Sequence, residues 1–198
     1  PLQRLFISGS NIKDDALLPE SLIELDVSDC KSLQTFQFLS RLTRLEILSL
    51  RFTNFTHQVQ VLPPSLKQLA LPSTFIPKFL ADLPPNLVTL VVNSKVIRGN
   101  MSHIPPWIRY LSIHKAEDLS NSDFSRLSPQ LIYLGLYFTS ETSHNWISSI
   151  PRSLVILDVW EPKCLVSQSW VHLPPTLRKF RYRQSTVPEV VLNRILEA

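Results

Sequence analysis

A chain of 198 residues that is 44% hydrophobic and 18% charged has enough apolar material to bury a core, which excludes disorder over most of its length. The net charge of +4 is spread evenly, with 10 Lys/Arg against 8 Asp/Glu in residues 1–99 and the same in 100–198, so no basic tail argues for nucleic acid. Sixteen Pro against 3 Gly speak for a regular, rigid device rather than flexible linkers, and no run of about 20 apolar residues encodes a membrane span.

The first element is a short strand at Leu2-Leu5-Ile7, and its pattern, L-x-x-L-x-L with apolar substitutions, returns eight more times. In chain order it reads Leu22-Leu25-Val27, Leu45-Leu48-Leu50, Leu66-Leu69-Leu71, Leu87-Leu90-Val92, Ile108-Leu111-Ile113, Leu131-Leu134-Leu136, Leu154-Leu157-Val159 and Leu177-Phe180-Tyr182. Successive starts lie 20, 23, 21, 21, 21, 23, 23 and 23 residues apart, a period that predicts stacked structural repeats. Side chains alternate along a strand, so the apolar positions of each repeat face a shared interior. A single coil cannot cover that apolar face; stacking covers it.

A proline step precedes most strands: Leu18-Pro19, Leu62-Pro63-Pro64, Leu83-Pro84-Pro85, Ile104-Pro105-Pro106, Ser128-Pro129, Ile150-Pro151 and Leu173-Pro174-Pro175. Proline fixes φ and donates no hydrogen bond, so it is expected to hold the return segment extended and feed the chain into the next strand. The third repeat lacks it, and Phe38-Leu39-Ser40-Arg41-Leu42 predicts a short helical turn instead. Return-segment apolars Phe36, Phe55, Phe75, Phe79, Phe124, Trp146 and Trp170 are expected to fill the far side of the core. The segment from Val187 to Leu196 reads as a capping helix, with Pro188 in its first turn and Glu189 suited to the N-terminal dipole. The domain organisation is therefore a repeat array over 1–186 and a cap over 187–198. Leu2 begins within a strand without a cap, so further repeats or another domain are expected upstream.

These residues resemble the leucine-rich-repeat family over nearly the entire chain. The LPPSLKQLAL and LPPNLVTLVV segments are similar to its proline-led subclasses, the bacterial-effector type and the FNIP type of amoebae; Thr74-Phe75-Ile76-Pro77 echoes the latter. The resemblance implies an α/β, β-rich solenoid: a horseshoe with a parallel concave sheet of about nine strands and mostly irregular or extended convex segments. It also implies a protein-interaction module, of the kind that serves as a recruiting arm of ubiquitin-ligase complexes or bacterial effectors. The chain departs from the family eight residues after the first leucine, where asparagine is usual. Here stand Ser10, Cys30, Thr53, Thr74, Lys95, Ala116, Thr139, Pro162 and Ser185. Hydroxyls and a thiol can partly replace an asparagine ladder; Lys95, Ala116 and Pro162 cannot do so in the same way.

The alternation also predicts the binding face. Residues two, four and six positions after each first leucine point away from the core. Late repeats there present Tyr110, Ser112 and His114; Tyr133, Gly135 and Tyr137; Ile156, Asp158 and Trp160; and Lys179, Arg181 and Arg183. Tyr, Trp and Arg are enriched where interfaces draw their energy. The candidate partner-binding set is therefore Tyr110, His114, Tyr133, Tyr137, Asp158, Trp160, Lys179, Arg181 and Arg183, with a protein as the expected partner. The alternative reading is ordinary exposed sheet residues whose aromatics shield one another. Arg178, Lys179, Arg181 and Arg183 also allow a nucleic-acid or polyanion reading, or a charged edge that protects the last strand from aggregation.

Nothing in the sequence points to catalysis, a cofactor or a metal. Gly9, Gly99 and Gly135 are scattered and form no phosphate-cradling loop. His57, His103, His114, His144 and His172 show no metal spacing with one another or with the cysteines. Asp14-Asp15 and Glu117-Asp118 read as solvated turn residues. Cys30 and Cys164 lie six repeats apart, about 29 Å at roughly 4.8 Å per rung, which is beyond disulfide reach. Free thiols fit a reducing compartment, cytoplasmic or nuclear, and outweigh the sequon matches Asn54-Phe55-Thr56 and Asn100-Met101-Ser102.

Overall fold

A computed structural model describes residues 1–140, 146–160 and 172–183. The expected cap at 187–198, the array's last residues 184–186, Cys164 and Trp170 lie outside the described residues. Nine strands form one parallel sheet in sequence order: β1 (Arg4–Phe6), β2 (Glu24–Asp26), β3 (Ile47–Ser49), β4 (Gln68–Ala70), β5 (Thr89–Asn93), β6 (Tyr110–His114), β7 (Tyr133–Tyr137), β8 (Ile156–Trp160) and β9 (Lys179–Arg183). The register carries the repeat directly: Leu5, Leu25, Leu48, Leu69, Leu90, Leu111, Leu134, Leu157 and Phe180 are successive partners. From Leu25 to Leu157 each of these is at most 1% exposed. Phe180 and Tyr182, at the end of the ladder, are only partly buried.

Opposite the sheet run short 3-10 turns and two single-turn helices, α1 (Ser94–Ile97) and α2 (Asn121–Phe124). The proline-free third repeat forms the helical turn its sequence predicts, a 3-10 helix over Gln37–Arg41. Phe36, Phe55, Phe75, Phe124 and Trp146 are buried as expected, joined by Phe38 and Phe138. Phe36 meets Phe55 edge-on at 5.1 Å, and Phe55 stacks on Phe75 at 6.0 Å, so an aromatic spine links three consecutive repeats. Phe79 departs from the expectation. It is only partly buried, with Lys78 Nζ 4.9 Å above its ring and His57 at 5.8 Å.

The prolines do something sharper than hold the chain extended. The residues before them are extended at Leu62, Leu83 and Ile104, as the clash with the proline ring requires. The prolines themselves then frame a tight turn: Leu66 N donates to Pro63 O, Leu87 N to Pro84 O, Ile108 N to Pro105 O and Leu177 N to Pro174 O, at 3.1–3.2 Å. In each Pro-Pro pair the second proline takes the position whose fixed φ favours turn formation. A polar side chain at the end of that turn then ties it to the preceding repeat: Ser65 Oγ donates to Leu45 O at 2.7 Å, Asn86 Nδ2 to Pro64 O at 2.9 Å and Thr176 Oγ1 to Leu154 O at 2.7 Å. Trp107 interrupts this series.

A second set of ties replaces the missing asparagine ladder. Cys30 Sγ reaches Ile7 O at 3.2 Å, and Thr74 Oγ1 donates to Phe55 O at 3.0 Å. Where Lys95 and Ala116 break the series, carboxylates take over. Asp118 accepts from Ser94 Oγ at 3.0 Å, and Glu117 accepts from the backbone N–H and hydroxyl of Thr139. Asp14 accepts from the backbone N–H groups of Gln34, Thr35 and Phe36 at 2.9–3.0 Å. Burial works against its charge, yet these donors outweigh it and hold its carboxyl below the usual range. Asp14, Glu117 and Asp118 are thus cross-braces between coils, not merely solvated turn residues.

The strands change length midway. β1–β4 have three residues and β5–β9 five. In the first three repeats Gly9, Asp29 and Phe52, the residues after the third outward position, adopt φ of 71°, 59° and 61°. In the fourth, that outward position is Pro72, which has no N–H to donate. From β5 onward the third outward residue enters the ladder, even in β6, where Lys115 directly after it has φ 58°.

Candidate partner-binding surface

The longer strands align a third row of residues across the sheet: Asn93, His114, Tyr137, Trp160 and Arg183 are successive register partners. His114 stacks on Tyr137 at 4.6 Å and 14°, and Tyr137 on Trp160 at 5.4 Å and 20°. Parallel rungs put these rings at stacking distance, and each such contact contributes about 0.5–1.5 kcal/mol beyond buried area. The first row holds a second pair, Tyr110 and Tyr133, with ring centroids 6.3 Å apart; Tyr110 is 38% exposed.

Between the rows lies Gly135. A Cβ built there falls 2.7 Å from the Tyr133 hydroxyl and 3.1 Å from Ser112 Oγ, so the Tyr133 phenol lies across the space that a side chain at 135 would occupy. Burial raises the Tyr133 pKa above its ordinary value, opposed by a hydrogen bond with Ser112 and reinforced by Tyr137 and Asp158. Gly135→Ala is expected to push the Tyr133 ring aside, because the hydroxyl end of the ring yields more readily than backbone. Unfolding free energy should stay within about 1 kcal/mol of the parent, while partner affinity falls about tenfold. A crystal structure of the variant with Tyr133 unmoved would contradict this.

Asp158 also points outward by register yet is only 3% exposed, and its Oδ2 lies 3.4 Å from Arg181 Nη1. Lys179 is exposed at the first-row position of the same strand. Arg183 occupies the third-row position by register. The nine residues singled out in the sequence therefore share one face; His114, Tyr137 and Trp160 form one group, Tyr110 and Tyr133 a second, and Asp158 and Arg181 a third.

Two further residues border this region: the strand alternation already places Arg51 on the outward face, though outside the candidate set, and Trp107 lies off the outward positions. Arg51, the third outward residue of the third repeat, is exposed, and its charge is felt at His114. Its phase in the repeat is the only sequence signal it carries. Trp107 is 38% exposed three residues before Tyr110, where Ser21, Ser65, Asn86, Ser153 and Thr176 in other repeats bond the previous coil. The loss of that small polar residue from the series is a signal in itself.

His114 is held below its ordinary pKa of 6.5, first by burial and then by Arg51. The unfolded chain therefore takes up this proton more readily than the folded one. The stability due to neutral His114 is complete above about pH 6.5 and is lost as pH falls toward the folded value. Urea unfolding at pH 7.5 and 5.5 should show a smaller acid-induced loss in His114→Phe, which keeps a ring on Tyr137, than in the parent. An equal loss in both would rule out His114 as the source.

The first three repeats spend outward polar groups among themselves. Arg4 Nε meets Glu24 Oε2 at 3.3 Å, Asp26 Oδ1 accepts from Ser28 N at 2.8 Å, and the Ser28 and Ser49 hydroxyls are 2.7 Å apart. Among the described residues no group of three or more His, Cys, Asp or Glu is placed to hold a metal ion, and no helix is long and apolar enough to cross a membrane.

No family model matches the sequence, and no curated protein matches it either. Among solved structures it is similar to the leucine-rich repeat-containing protein LegL7 from Legionella pneumophila, with a TM-score of 0.63 and 14% identity over 99% of this chain and 90% of that one. The fold is a leucine-rich-repeat solenoid. At this identity the likeness is one of architecture.

Proposed function

We propose that this leucine-rich-repeat chain is a non-catalytic module that holds a protein partner on the outward face of β6–β9. The observation that carries the reading is the continuous stack of His114, Tyr137 and Trp160 beside the cations of β9. Large flat rings fixed by their neighbours lose little conformational freedom on binding, which is what an interface centre needs. The chemistry of the surface supports binding over turnover: its one outward acid, Asp158, meets Arg181, and its histidine is engaged ring on ring with Tyr137. We further read the chain as an adaptor or substrate-recruiting arm of a larger protein, such as a ubiquitin-ligase component or an effector. The proline-led lead-ins favour the effector-type or FNIP-type subclass. Cys30, a buried free thiol that hydrogen-bonds to the preceding coil, favours a reducing cytoplasmic or nuclear setting.

Affinity capture followed by mass spectrometry, run in parallel with Tyr137→Ala/Trp160→Ala, tests the reading. Partners retained by the parent and lost by the variant support it; identical capture by both overturns it. Exposed Arg178 and Lys179 at the start of β9 give a polyanion reading some support. The pairing of Arg181 with Asp158 weakens it by removing one cation from the group.

A further inference from the structure

Resting on that protein-binding reading, we propose that the sheet face from β3 to β9 takes an extended acidic protein segment lying across the strands, its apolar centre seated on Tyr137 and Trp160. Charge complementarity is the basis. Among the outward positions of β3–β9 and the third-row residues aligned with them, Asp158 is the one acid, and its side chain is 5% exposed against Arg181. The cations stand at the two ends: exposed Arg51 beside β3, and exposed Lys179 on β9 with Arg183 in register beyond it. Between them the third row is uncharged apart from His114, which burial and Arg51 keep neutral at pH 7. The surface is thus apolar and aromatic at its centre and positive at both ends, and among its described outward residues no exposed carboxylate repels an acidic chain.

The opposite charge marks where the surface stops. Glu24 and Asp26 occupy the outward positions of β2, so an acidic segment is repelled before it reaches the first repeats. From β3 to β9 there are six steps of roughly 4.8 Å, or about 29 Å, which an extended chain covers in about nine residues. The segment therefore has acidic residues near its two ends and a proline or aromatic residue near its middle, where a flat ring can lie on the stack.

The test is selection of a displayed random dodecapeptide library on the whole chain at low salt. The enriched peptide is then titrated, fluorescently labelled, against the parent, Arg51→Glu/Lys179→Glu and Tyr137→Ala/Trp160→Ala. Arg51 and Lys179 are exposed, so their reversal leaves the core intact. The expected result is enrichment of Asp and Glu towards the peptide ends, affinity lower by about tenfold or more in the charge-reversed variant, and weakening with salt. Basic or uncharged peptides that still need Tyr137 and Trp160 overturn the acidic segment and leave the protein-binding reading standing. No enrichment, or binding indifferent to the two aromatics, overturns both. An oligothymidylate that binds more tightly than the selected peptide and displaces it also overturns the proposal, in favour of nucleic acid.

Discussion

Tyr137→Ala/Trp160→Ala is expected to lower affinity for the captured partner at least about a hundredfold. Each ring is a candidate hot spot, and losing about 1.4 kcal/mol at each already gives that factor. The two substitutions also remove both stacking contacts, His114 on Tyr137 and Tyr137 on Trp160. Unfolding free energy should therefore fall by about 1–3 kcal/mol. That loss is measurable but leaves the inward ladder of Leu134, Leu136, Leu157 and Val159 untouched. Calorimetric titration at a temperature well below the variant's unfolding midpoint separates the two effects. Affinity within a few-fold of the parent contradicts the assignment of this face.

The largest stability effect is expected at Phe55→Ala. Phe55 is 0% exposed and sits between Phe36 at 5.1 Å and Phe75 at 6.0 Å. Truncating a buried phenylalanine costs about 3–5 kcal/mol from lost transfer energy and the cavity that remains. Two aromatic contacts are lost as well, and a domain of this size has only about 5–15 kcal/mol in total. In a solenoid each repeat touches only its neighbours, so the damage should be regional. Hydrogen exchange should show the amides of β2–β4 opening early while those of β6–β8 stay protected. Uniform acceleration across all the strands would mean that the array unfolds as one cooperative unit.

The departures from expectation share a physical origin. The proline steps announced the return to the sheet, but whether Pro63-Pro64 continues an extended path or closes a turn depends on the carbonyl that Leu66 N reaches. Adjacent acids such as Asp14-Asp15 look solvated in a linear sequence. The partners of Asp14 are the N–H groups of residues 34 to 36, one full coil later. Phe79 shares the phase of the core aromatics, yet it rests against Lys78 and His57 near the surface, because Leu80 takes the buried position of that turn.

The sequence by itself determined the solenoid: a strand's two-residue alternation and a coil of 20–23 residues fix which side chains face inward, and the register follows the leucines without a slip. These are properties of local backbone geometry and of burial, and both repeat visibly along the chain. Tertiary structure alone decided which outward side chains meet. The stacking of His114, Tyr137 and Trp160, the phenol of Tyr133 over Gly135 and the pairing of Asp158 with Arg181 join residues on different rungs or set a rotamer. Such contacts depend on how side chains from neighbouring rungs pack against one another, which no single repeat specifies.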